Sequence, residues 1–259
     1  MRIKAKTEPE VKAIVLSGGS GRRFGSGLPK QYIEICGKPI LAYTLEAFEK
    51  SPVDEIVIVS GEGYEDLCRK IAKETGISKL TAVVKGGSER YYSVMEGLRF
   101  LMEKGGRNQD EIVLIHDGAR PFVSAEVIND VIGQVKEYGA AIAAVPCTDT
   151  IKITDPDGMI VSTTDRSLTW AAQTPQGFRL DEIYSAYQTV LYDNDNKEQK
   201  NTASSECRTV PVTDDAMVYQ LAYPHRRVKT VLSSSDNIKI TSPRDLELAK
   251  TLLNQILNC

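Results

Sequence analysis

The sequence predicts an α/β fold: a mostly parallel, Rossmann-like sheet with helices on both faces and a protruding β-hairpin arm. Through residue 147, short apolar runs rich in β-branched residues alternate with stretches whose apolar residues recur at helical spacing. Polar clusters follow three of these runs, at residues 17–30, 86–90 and 116–121, which is where open parallel sheets bind ligands. After residue 147 the rhythm changes to short β-like runs around D-P-D-G at 155–158, which indicates a hairpin.

The first half of the chain is predicted to fold as strands joined by helices. Residues 11–17, VKAIVLS, form a β-rich apolar run that ends in glycines, which is typical of a buried strand. Residues 39–50 carry apolar side chains at helical spacing behind a proline suited to a first turn. By the same criteria we predict strands at 54–60, 80–87, 111–121 and 139–147, and helices at 65–76, 88–104 with Ser88 as N-cap, and 124–138.

The second half is predicted to add the hairpin and a closing set of elements. Helical patterning returns at 180–192, whereas 194–206 is polar and without periodicity, which predicts a mobile loop or an insertion. Beyond it we predict a helix at 212–222, a strand at 227–233 and a helix at 242–257 that begins with Ser242 as N-cap and Pro243. We therefore expect one domain over residues 1–259, with a hairpin arm at about 147–174 of the type that packs against a second subunit.

Composition narrows the function classes. The net charge of −3 argues against a general nucleic-acid binder, which is usually strongly basic. No apolar run approaches the ~20 residues of a transmembrane helix, and the charged start lacks the apolar core of a secretory signal. The five cysteines show no zinc-type or disulfide spacing, so we expect reduced thiols in a cytoplasmic protein. From the charge and the lack of a long apolar run, we expect no binding to nucleic acid or to a membrane. The chain contains two histidines, which disfavours chemistry that needs several of them.

The stretch LSGGSGRRFGSGLPKQY, residues 16–32, combines glycines and cations just past the first strand. Bare backbone N–H groups and converging charge suit a polyphosphate, because Arg can clamp phosphate bidentately and Lys acts as a point charge. A P-loop is excluded because no glycine is followed by Lys-Ser or Lys-Thr. The dinucleotide fingerprint fits poorly because Phe24 stands at its third glycine position. A flexible surface loop with solvated charges is the alternative.

Asp117 ends the predicted fourth strand and is the candidate metal ligand. Mg²⁺ typically takes one or two carboxylates plus substrate phosphates, so this aspartate and the cationic loop together suit phosphoryl or nucleotidyl transfer. Taken alone, the D-G pair fits a turn better, and Arg120 can pair with Asp117 or with substrate. His116 is predicted to point away from Asp117 and to be structural. Asp214 and Asp215 at a helix start are explained by capping and helix-dipole complementarity.

Several longer segments resemble a known family. In chain order they are LSGGSGRRFGSGLPKQY, GGSERYYSV, IHDGARPFV, TDTIK, TDRSLTWAAQTPQGF, TDDA and DNIKITSPRDL. Together they resemble the 2-C-methyl-D-erythritol 4-phosphate cytidylyltransferases of the non-mevalonate isoprenoid pathway, over about residues 11 to 257. The resemblance implies a nucleotidyltransferase domain with CTP and a sugar-alcohol phosphate as substrates. It further implies Mg²⁺ or another divalent cation as cofactor and a homodimer whose hairpin arms interlock.

The resemblance also assigns roles by motif. Its implied catalytic residues, which stabilise phosphate charge and orient the acceptor, are Arg23, Lys30, Arg166 and Lys239. Its implied nucleotide-binding residues are Ser17, Gly18, Gly19, Ser20, Gly21, Arg23, Lys30, Gly87, Ser88, Ser93 and Gly118. Its implied acceptor-binding residues are Thr150, Arg166, Thr213, Asp214 and Lys239, of which Thr150 and Arg166 reach the partner's site from the arm. Asp117 is the implied metal ligand.

Other functions stay open at this point. A CDP-ribitol pyrophosphorylase is similar and uses ribitol 5-phosphate, although W-A-A-Q-T-P-Q and T-D-D-A fit the methylerythritol family better. Hexose-phosphate nucleotidyltransferases usually carry a longer, threonine- and proline-containing spacer before the P-K pair. A dehydrogenase is disfavoured by the missing third glycine and by Ser60, where no acid closes the second strand. The intact set of cations disfavours an inactive nucleotide-binding scaffold.

Overall fold

A seven-stranded sheet forms the centre of the protein. The computed structural model describes residues 8–19, 28–105, 110–199 and 212–257, with side chains described to residue 191 in the fifth helix and to residue 255 in the last. In chain order the strands are β1 (Val11–Ser17), β2 (Glu34–Ile35), β3 (Lys38–Pro39), β4 (Glu55–Ser60), β5 (Leu80–Lys85), β6 (Ile112–Asp117), β7 (Ala140–Pro146), β8 (Lys152–Thr154), β9 (Ile160–Thr163), β10 (Trp170–Arg179) and β11 (Lys229–Leu232). The central sheet has the order β11-β7-β10-β6-β1-β4-β5, while β2 pairs with β3 and β8 with β9.

Helices cover both faces of this sheet. They are α1 (Ile40–Glu49), α2 (Glu65–Glu74), α3 (Arg90–Lys104), α4 (Ala125–Tyr138), α5 (Leu180–Gln199), α6 (Asp215–Ala222) and α7 (Pro243–Leu257). Helices α1, α2 and α4 pack on one face, whereas α3, α5 and α6 pack on the other. Helix α7 forms a smaller cluster with the segment around β2. None of the helices in the part of the chain that the structure describes is long and apolar enough to cross a membrane.

The continuous apolar runs in the strands follow from burial on both faces. In β1, Ala13 and Val15 face the α1–α2–α4 layer and Ile14 faces the opposite layer, and all three are fully buried. Burying an aliphatic side chain of the size of Val or Ile contributes roughly 1.5–3 kcal/mol relative to exposure. A strand with two buried faces therefore shows an unbroken apolar run rather than alternation, which is the pattern of VKAIVLS.

One strand of the sheet runs against the others. β1 pairs in parallel with β4 and β6, and β7 pairs in parallel with β11. β10 lies between β6 and β7 and is antiparallel to both. The chain leaves the sheet after Pro146, forms the β8–β9 hairpin, and returns at Trp170.

The structure confirms the predicted fold class and most elements, with three differences. Ser88 does not cap α3: the N-cap is Glu89, without a side-chain cap hydrogen bond. Residues 170–174, predicted as part of the arm, belong to β10 in the central sheet. Helix α5 continues to Gln199, so residues 194–199 are helical where a loop was predicted, because polar composition alone does not end a helix; 200–206 lie outside the described residues. Helix α4 begins where it was predicted, at about residue 124. Ser124 is its N-cap, and the Ser124 hydroxyl accepts from the Val127 N–H.

Candidate active site

A cleft of about 460 Å³ opens at the carboxyl ends of the central strands. It lies beyond β1 and β6, between the start of α3 and the segment that precedes α7. Its walls are formed by Leu16, Gly18, Gly19, Lys30, Gln31, Gly87, Ser88, Glu89, Arg90, Ser93, Asp117, Ala119 and Lys239. All three polar clusters predicted at strand ends therefore contribute to one cavity.

The start of the glycine segment after β1 is held by hydrogen bonds from Gln31 and Tyr32, which follow it in the chain. The buried Gln31 amide donates to the Ser17 carbonyl at 2.6 Å and to the Gly19 carbonyl at 3.3 Å. The Tyr32 hydroxyl bonds the Ser17 carbonyl at 3.1 Å. These bonds satisfy carbonyls that the end of the strand would leave unpaired, and they fix Lys30, the preceding residue, at the cleft wall.

The turn between β5 and α3 forms the opposite wall. The Ser93 hydroxyl accepts from the Gly87 N–H at 3.1 Å and donates to the Glu89 carbonyl at 3.1 Å. A Cβ on Gly86 would lie 2.7 Å from the Ser93 hydroxyl oxygen, so glycine is required for this close approach. Ser93 therefore shapes the wall besides lining it.

Asp117 is buried in the cleft floor and has three cationic neighbours among the described residues. Its Oδ2 lies 2.7 Å from Lys239 Nζ and 3.7 Å from Arg120 Nε, and its Oδ1 lies 3.4 Å from Arg90 Nε. Burial alone would raise the pKa of Asp117, but Arg90, Lys239 and Arg120 outweigh it and lower the pKa below its usual value. Asp117 is therefore a carboxylate at neutral pH.

Arg90 links Asp117 to a second, fully buried carboxylate. Its two Nη atoms bond the two oxygens of Asp215 at 2.8 Å each. The Tyr187 hydroxyl donates to Asp215 Oδ1 at 2.5 Å. Burial lowers the pKa of Arg90, but Asp215 and then Asp117 dominate and raise it well above its usual value. Arg90 is thus a permanent cation in the cleft wall.

His116 lies under the floor and has both ring nitrogens occupied. Nε2 faces the Arg120 carbonyl at 3.2 Å, which assigns the ring proton to Nε2. Nδ1 then accepts from the Thr174 hydroxyl at 3.0 Å, and that hydroxyl oxygen accepts from the Asp117 N–H at 3.1 Å. Burial lowers the pKa of His116 to about 4. The prediction that His116 is structural is confirmed.

Lys239 is brought to the cleft by a loop that is bonded to two neighbouring segments. Asn237 donates to the Thr174 carbonyl at 2.9 Å, and Arg120 donates to the Asn237 carbonyl at 2.7 Å. The Ile240 N–H donates to the Ala119 carbonyl at 2.9 Å. Residues more than a hundred positions apart in sequence thus set the position of Lys239.

The family model of 2-C-methyl-D-erythritol 4-phosphate cytidylyltransferase (IspD) matches residues 11–255. The chain belongs to this family. Two relatives of that name, from Lachnospira eligens and Syntrophus aciditrophicus, are 41% and 42% identical to it over 242 and 251 residues. The alignments cover 93% and 96% of this chain and 98% and 97% of the relatives. The matches do not favour the ribitol phosphate alternative.

Solved structures agree with this assignment. The crystal structure of 4-diphosphocytidyl-2C-methyl-D-erythritol synthase from Anaerococcus prevotii superimposes with a TM-score of 0.77 at 32% identity and covers 95% of this chain and 96% of its own. The enzyme from Francisella tularensis gives a TM-score of 0.70 at 28% identity, with coverage of 93% and 99%. Membership of the cytidylyltransferase family makes the chain a nucleotidyltransferase.

Seven of the residues assigned by the family resemblance line the cleft together with Asp117. They are Gly18, Gly19, Lys30, Gly87, Ser88 and Ser93, and Lys239 joins them from the far loop. Ser17 does not: its side chain lies in the core with its hydroxyl 3.0 Å from the Tyr32 hydroxyl. Gly118 packs beneath the floor, where a Cβ would lie 2.8 Å from the Leu16 carbonyl oxygen. Ser20, Gly21 and Arg23 lie outside the described residues.

The residues assigned to the acceptor are divided between two places. Thr150 and Arg166 lie exposed on the arm and do not line the cleft of their own chain, and Arg166 donates to the Thr148 carbonyl at 3.3 Å. Asp214 is the N-cap of α6, as its position predicted, and accepts from the Met217 N–H at 3.0 Å. Thr213 is exposed beside it, and neither residue lines the cleft.

Sequence reasoning missed Arg90, Asp215 and Gln31. Arg90 was visible as the cation that closes the strand-end cluster GGSER, but no role was given to it. Asp215 was explained by capping, whereas the structure gives the cap to Asp214 and pairs Asp215 with Arg90. Its burial could not be read from a local pattern, because Tyr187 and Arg90 approach it from distant parts of the chain.

Cysteine and metal chemistry remain simple in the described part of the chain. Cys36, Cys68 and Cys147 are free thiols, as predicted, and Cys207 and Cys259 lie outside that part. Among the described residues no three His, Cys, Asp or Glu side chains are grouped to hold a metal by themselves. A single buried carboxylate in a cationic cleft does fit a Mg²⁺ ion that brings phosphate ligands with it.

Proposed function

We propose that this cleft joins CTP to 2-C-methyl-D-erythritol 4-phosphate, releasing pyrophosphate and giving 4-diphosphocytidyl-2-C-methyl-D-erythritol. One observation carries the proposal: Lys30, Lys239 and Arg90 line the same strand-end cleft as Asp117, and Lys239 and Arg90 are paired with it. A phosphate oxygen of the acceptor attacks the α-phosphorus, and the bond from that phosphorus to the bridging oxygen of pyrophosphate breaks. The family membership supports both substrates.

This chemistry needs no proton-abstracting side chain. The acceptor is a phosphate monoester whose second pKa is near ~6, so it is largely ionised at neutral pH. The barrier comes from bringing two anions together in line, which fixed cations and oriented N–H groups lower. The occupied ring of His116 agrees with this, because a neutral histidine with both nitrogens bonded cannot act as a base.

The residues divide the work by position. Gly18, Gly19 and Lys30 would hold the triphosphate, and Arg23 would join them from the glycine loop. The wall formed by Gly87, Ser88 and Ser93 would receive the cytidine. Lys239 would exchange its contact with Asp117 for the acceptor phosphate, for which its partly exposed ammonium group is suited.

Asp117 would hold Mg²⁺ together with phosphate oxygens of CTP. Its ionised state and its burial at the floor of the cleft support this role. When bound, the ion would neutralise phosphate charge and orient the triphosphate. The surrounding Arg90 and Arg120 would keep the carboxylate in place.

The arm would complete the acceptor pocket of a second copy. Thr150 and Arg166 lie away from their own cleft. The arm and the adjoining start of β10 expose a set of apolar side chains that a homodimer would cover: Ile151, Ile153, Met159, Ile160, Val161 and Leu168 in the arm, and Trp170 in β10. Exposed apolar surface of this kind is typical of a protein–protein interface. A cytoplasmic homodimer with two shared sites follows from the proposal.

The reaction is tested by pyrophosphate release. Purified protein with CTP and Mg²⁺ is given 2-C-methyl-D-erythritol 4-phosphate or ribitol 5-phosphate in parallel. We expect release with the first acceptor and little with the second. Release that is absent with the first, or faster with the second, would overturn the proposed acceptor.

Sharing of the site is tested by mixing two inactive variants, Lys30→Ala and Arg166→Ala. In a heterodimer one cleft keeps its own Lys30 and receives Arg166 from the other chain, so it is complete. Random exchange makes half of the dimers mixed, each with one complete site of two, so about a quarter of wild-type activity returns. Mixtures that stay as inactive as their components would exclude an arm that acts in trans.

A further inference from the structure

Arg90 is shared unequally between two carboxylates. Both of its Nη atoms are bound to Asp215 at 2.8 Å, whereas only Nε faces Asp117, at 3.4 Å. Bidentate Arg–carboxylate pairs are the stronger and geometrically more specific arrangement. The guanidinium fork is therefore committed to Asp215, and Asp117 receives its charge at a longer distance.

Asp215 is fixed so that it can hold this fork. It is completely buried in the first turn of α6, and Tyr187 from α5 donates to its Oδ1 at 2.5 Å. The next N–H, that of Ala216, is bound by the Gln176 side chain of β10 at 2.9 Å. A buried carboxylate with a bidentate Arg partner and a hydroxyl donor has little freedom to release either.

Asp117 is the group that would gain the fork if Asp215 were absent. It is buried and ionised, and it already has Lys239 at 2.7 Å on its Oδ2. Among the described cations that pair with Asp117, only Arg90 contacts Oδ1. A freed guanidinium would turn both donors onto Asp117 and occupy the oxygens that a divalent cation needs.

We propose that Asp215, supported by Tyr187, is a positioning residue that keeps the Arg90 fork away from Asp117 and so leaves Asp117 available to the cation of a metal–nucleotide complex. The inference rests on the proposed metal role of Asp117. Asp215 acts through Arg90 and does not itself line the cleft.

The chain contains a matched cluster with no access to the cleft. Glu182 accepts from the Tyr219 hydroxyl at 2.6 Å and pairs with Arg226, which repeats the arrangement of an acid, a tyrosine and an arginine. None of its members lines the cleft. Glu182→Gln therefore controls for the loss of such an acid without any effect on Asp117.

The test compares CTP binding with and without Mg²⁺ by calorimetry, in the absence of acceptor. The readout is the ratio of the affinity in excess Mg²⁺ to that in EDTA. Asp215→Asn is expected to lower this ratio about tenfold, the lower end of the loss seen when groups that orient metal ligands are changed. Tyr187→Phe is expected to lower it about two- to threefold, and Glu182→Gln to leave it unchanged.

A double variant separates positioning from a general structural role. In Arg90→Met/Asp215→Asn the fork is gone, so the ratio is expected to return to within about threefold of wild type. A ratio that stays as low as in Asp215→Asn alone would overturn the inference. If Asp215→Asn fails to fold, as judged by circular dichroism, Tyr187→Phe carries the test, and an unchanged ratio there overturns it.

Asp117→Asn distinguishes failure of the inference from failure of the proposed metal role. If Asp117→Asn abolishes the Mg²⁺ dependence but Asp215→Asn keeps it, only the inference is wrong. If the ratio in Asp117→Asn is the same as in wild type, the proposed metal role of Asp117 is wrong, and the inference about Asp215 is wrong with it.

Discussion

The cleft and the arm both contain groups in energetically unfavourable surroundings, but they differ in how these groups are compensated. The cleft region has buried charges, and the arm has exposed apolar side chains. In and directly behind the cleft, Asp117 and Asp215 are buried carboxylates, and each is paired with a cation from the same chain within 4 Å. In the arm, Met159 and Val161 remain 68% and 67% exposed, although both are apolar. The buried charges are paired within one chain, whereas the apolar side chains of the arm stay exposed in their own chain.

This difference supports the proposal that the arm, and not the interior of the cleft, would depend on a partner. Charges that are paired internally can be arranged before any substrate arrives, which is what electrostatic catalysis requires. Apolar groups that are mostly exposed to water contribute little to the stability of their own chain, and they contribute more when a second surface covers them. Changes in the cleft should therefore alter chemistry, and changes in the arm should alter assembly.

The largest effect is expected from Lys30→Ala, which removes a fixed cation from the cleft wall. We expect turnover to fall by about 10²–10³-fold, by analogy with the loss of one preorganised donor. Lys38→Ala is the control, because Lys38 pairs with Glu46 outside the cleft. We expect the same size of loss for Arg23→Ala from the sequence, and normal steady-state turnover in either variant would contradict the role of the cationic loop.

The second prediction concerns His116, which is buried beneath the floor of the cleft. Burial lowers the pKa of His116 to about 4, against about 6.5 in an unfolded chain. The unfolded state then binds the extra proton between these values, so stability is complete above about pH 6.5 and falls by about 3 kcal/mol towards pH 4. Urea unfolding across this range checks it.

Two variants isolate the contribution of His116 to that pH profile. His116→Gln should flatten the profile, because the titrating group is absent. His225→Gln should keep it, because His225 is exposed. A steep profile that survives in His116→Gln would assign the loss of stability to other groups.

The third prediction concerns the arm. Val161→Asp places a charge on the surface that the partner would cover, and we expect the dimer dissociation constant to rise at least about tenfold. Because the Val161 side chain is exposed in its own chain, the free energy of unfolding of the monomer should change by no more than about 0.5 kcal/mol. Light scattering over a dilution series and denaturation of the monomer measure the two effects separately, and Ser162→Asp, on the neighbouring position, tests whether any new charge suffices.

The last prediction is read from stability alone and concerns the point where the two regions meet. Thr174→Val removes the hydroxyl that bonds the His116 ring and the Asp117 N–H. Leaving those buried groups without this partner should cost about 1–3 kcal/mol of stability. Thr174→Ser keeps the hydroxyl and should recover most of the loss. Equal stability of the Val and Ser variants would mean that the floor does not depend on the strand that returns from the arm.

Local patterns in the sequence were sufficient for most of the strands and helices and for the three strand-end clusters that line the cleft. VKAIVLS defines β1 residue for residue, because burial on both faces removes polar residues from a strand. The same reasoning brought Lys30 and Asp117 to one edge of the sheet, since parallel strands end together.

The remaining features depend on contacts that no local pattern carries. The antiparallel course of β10 could not be foreseen, because its segment fits a hairpin as well as a sheet strand. Asp215 resembles any acid at a helix start until Arg90, 125 positions away, is placed beside it. Ser17 was assigned to the ligand although strand alternation turns it into the core.

The course of β10 limits how the arm can be altered. The strand that comes back from the arm passes directly through the middle of the sheet and carries Thr174 and Gln176 to the cleft floor and to helix α6. A deletion at the base of the arm would displace Thr174 and Gln176. A loss of activity could then come from a distorted cleft floor rather than from the loss of a partner. Shortening confined to the turn around Gly158, between Asp155 and Met159, spares this connection and is the deletion whose kinetics can be read as an effect of the arm alone.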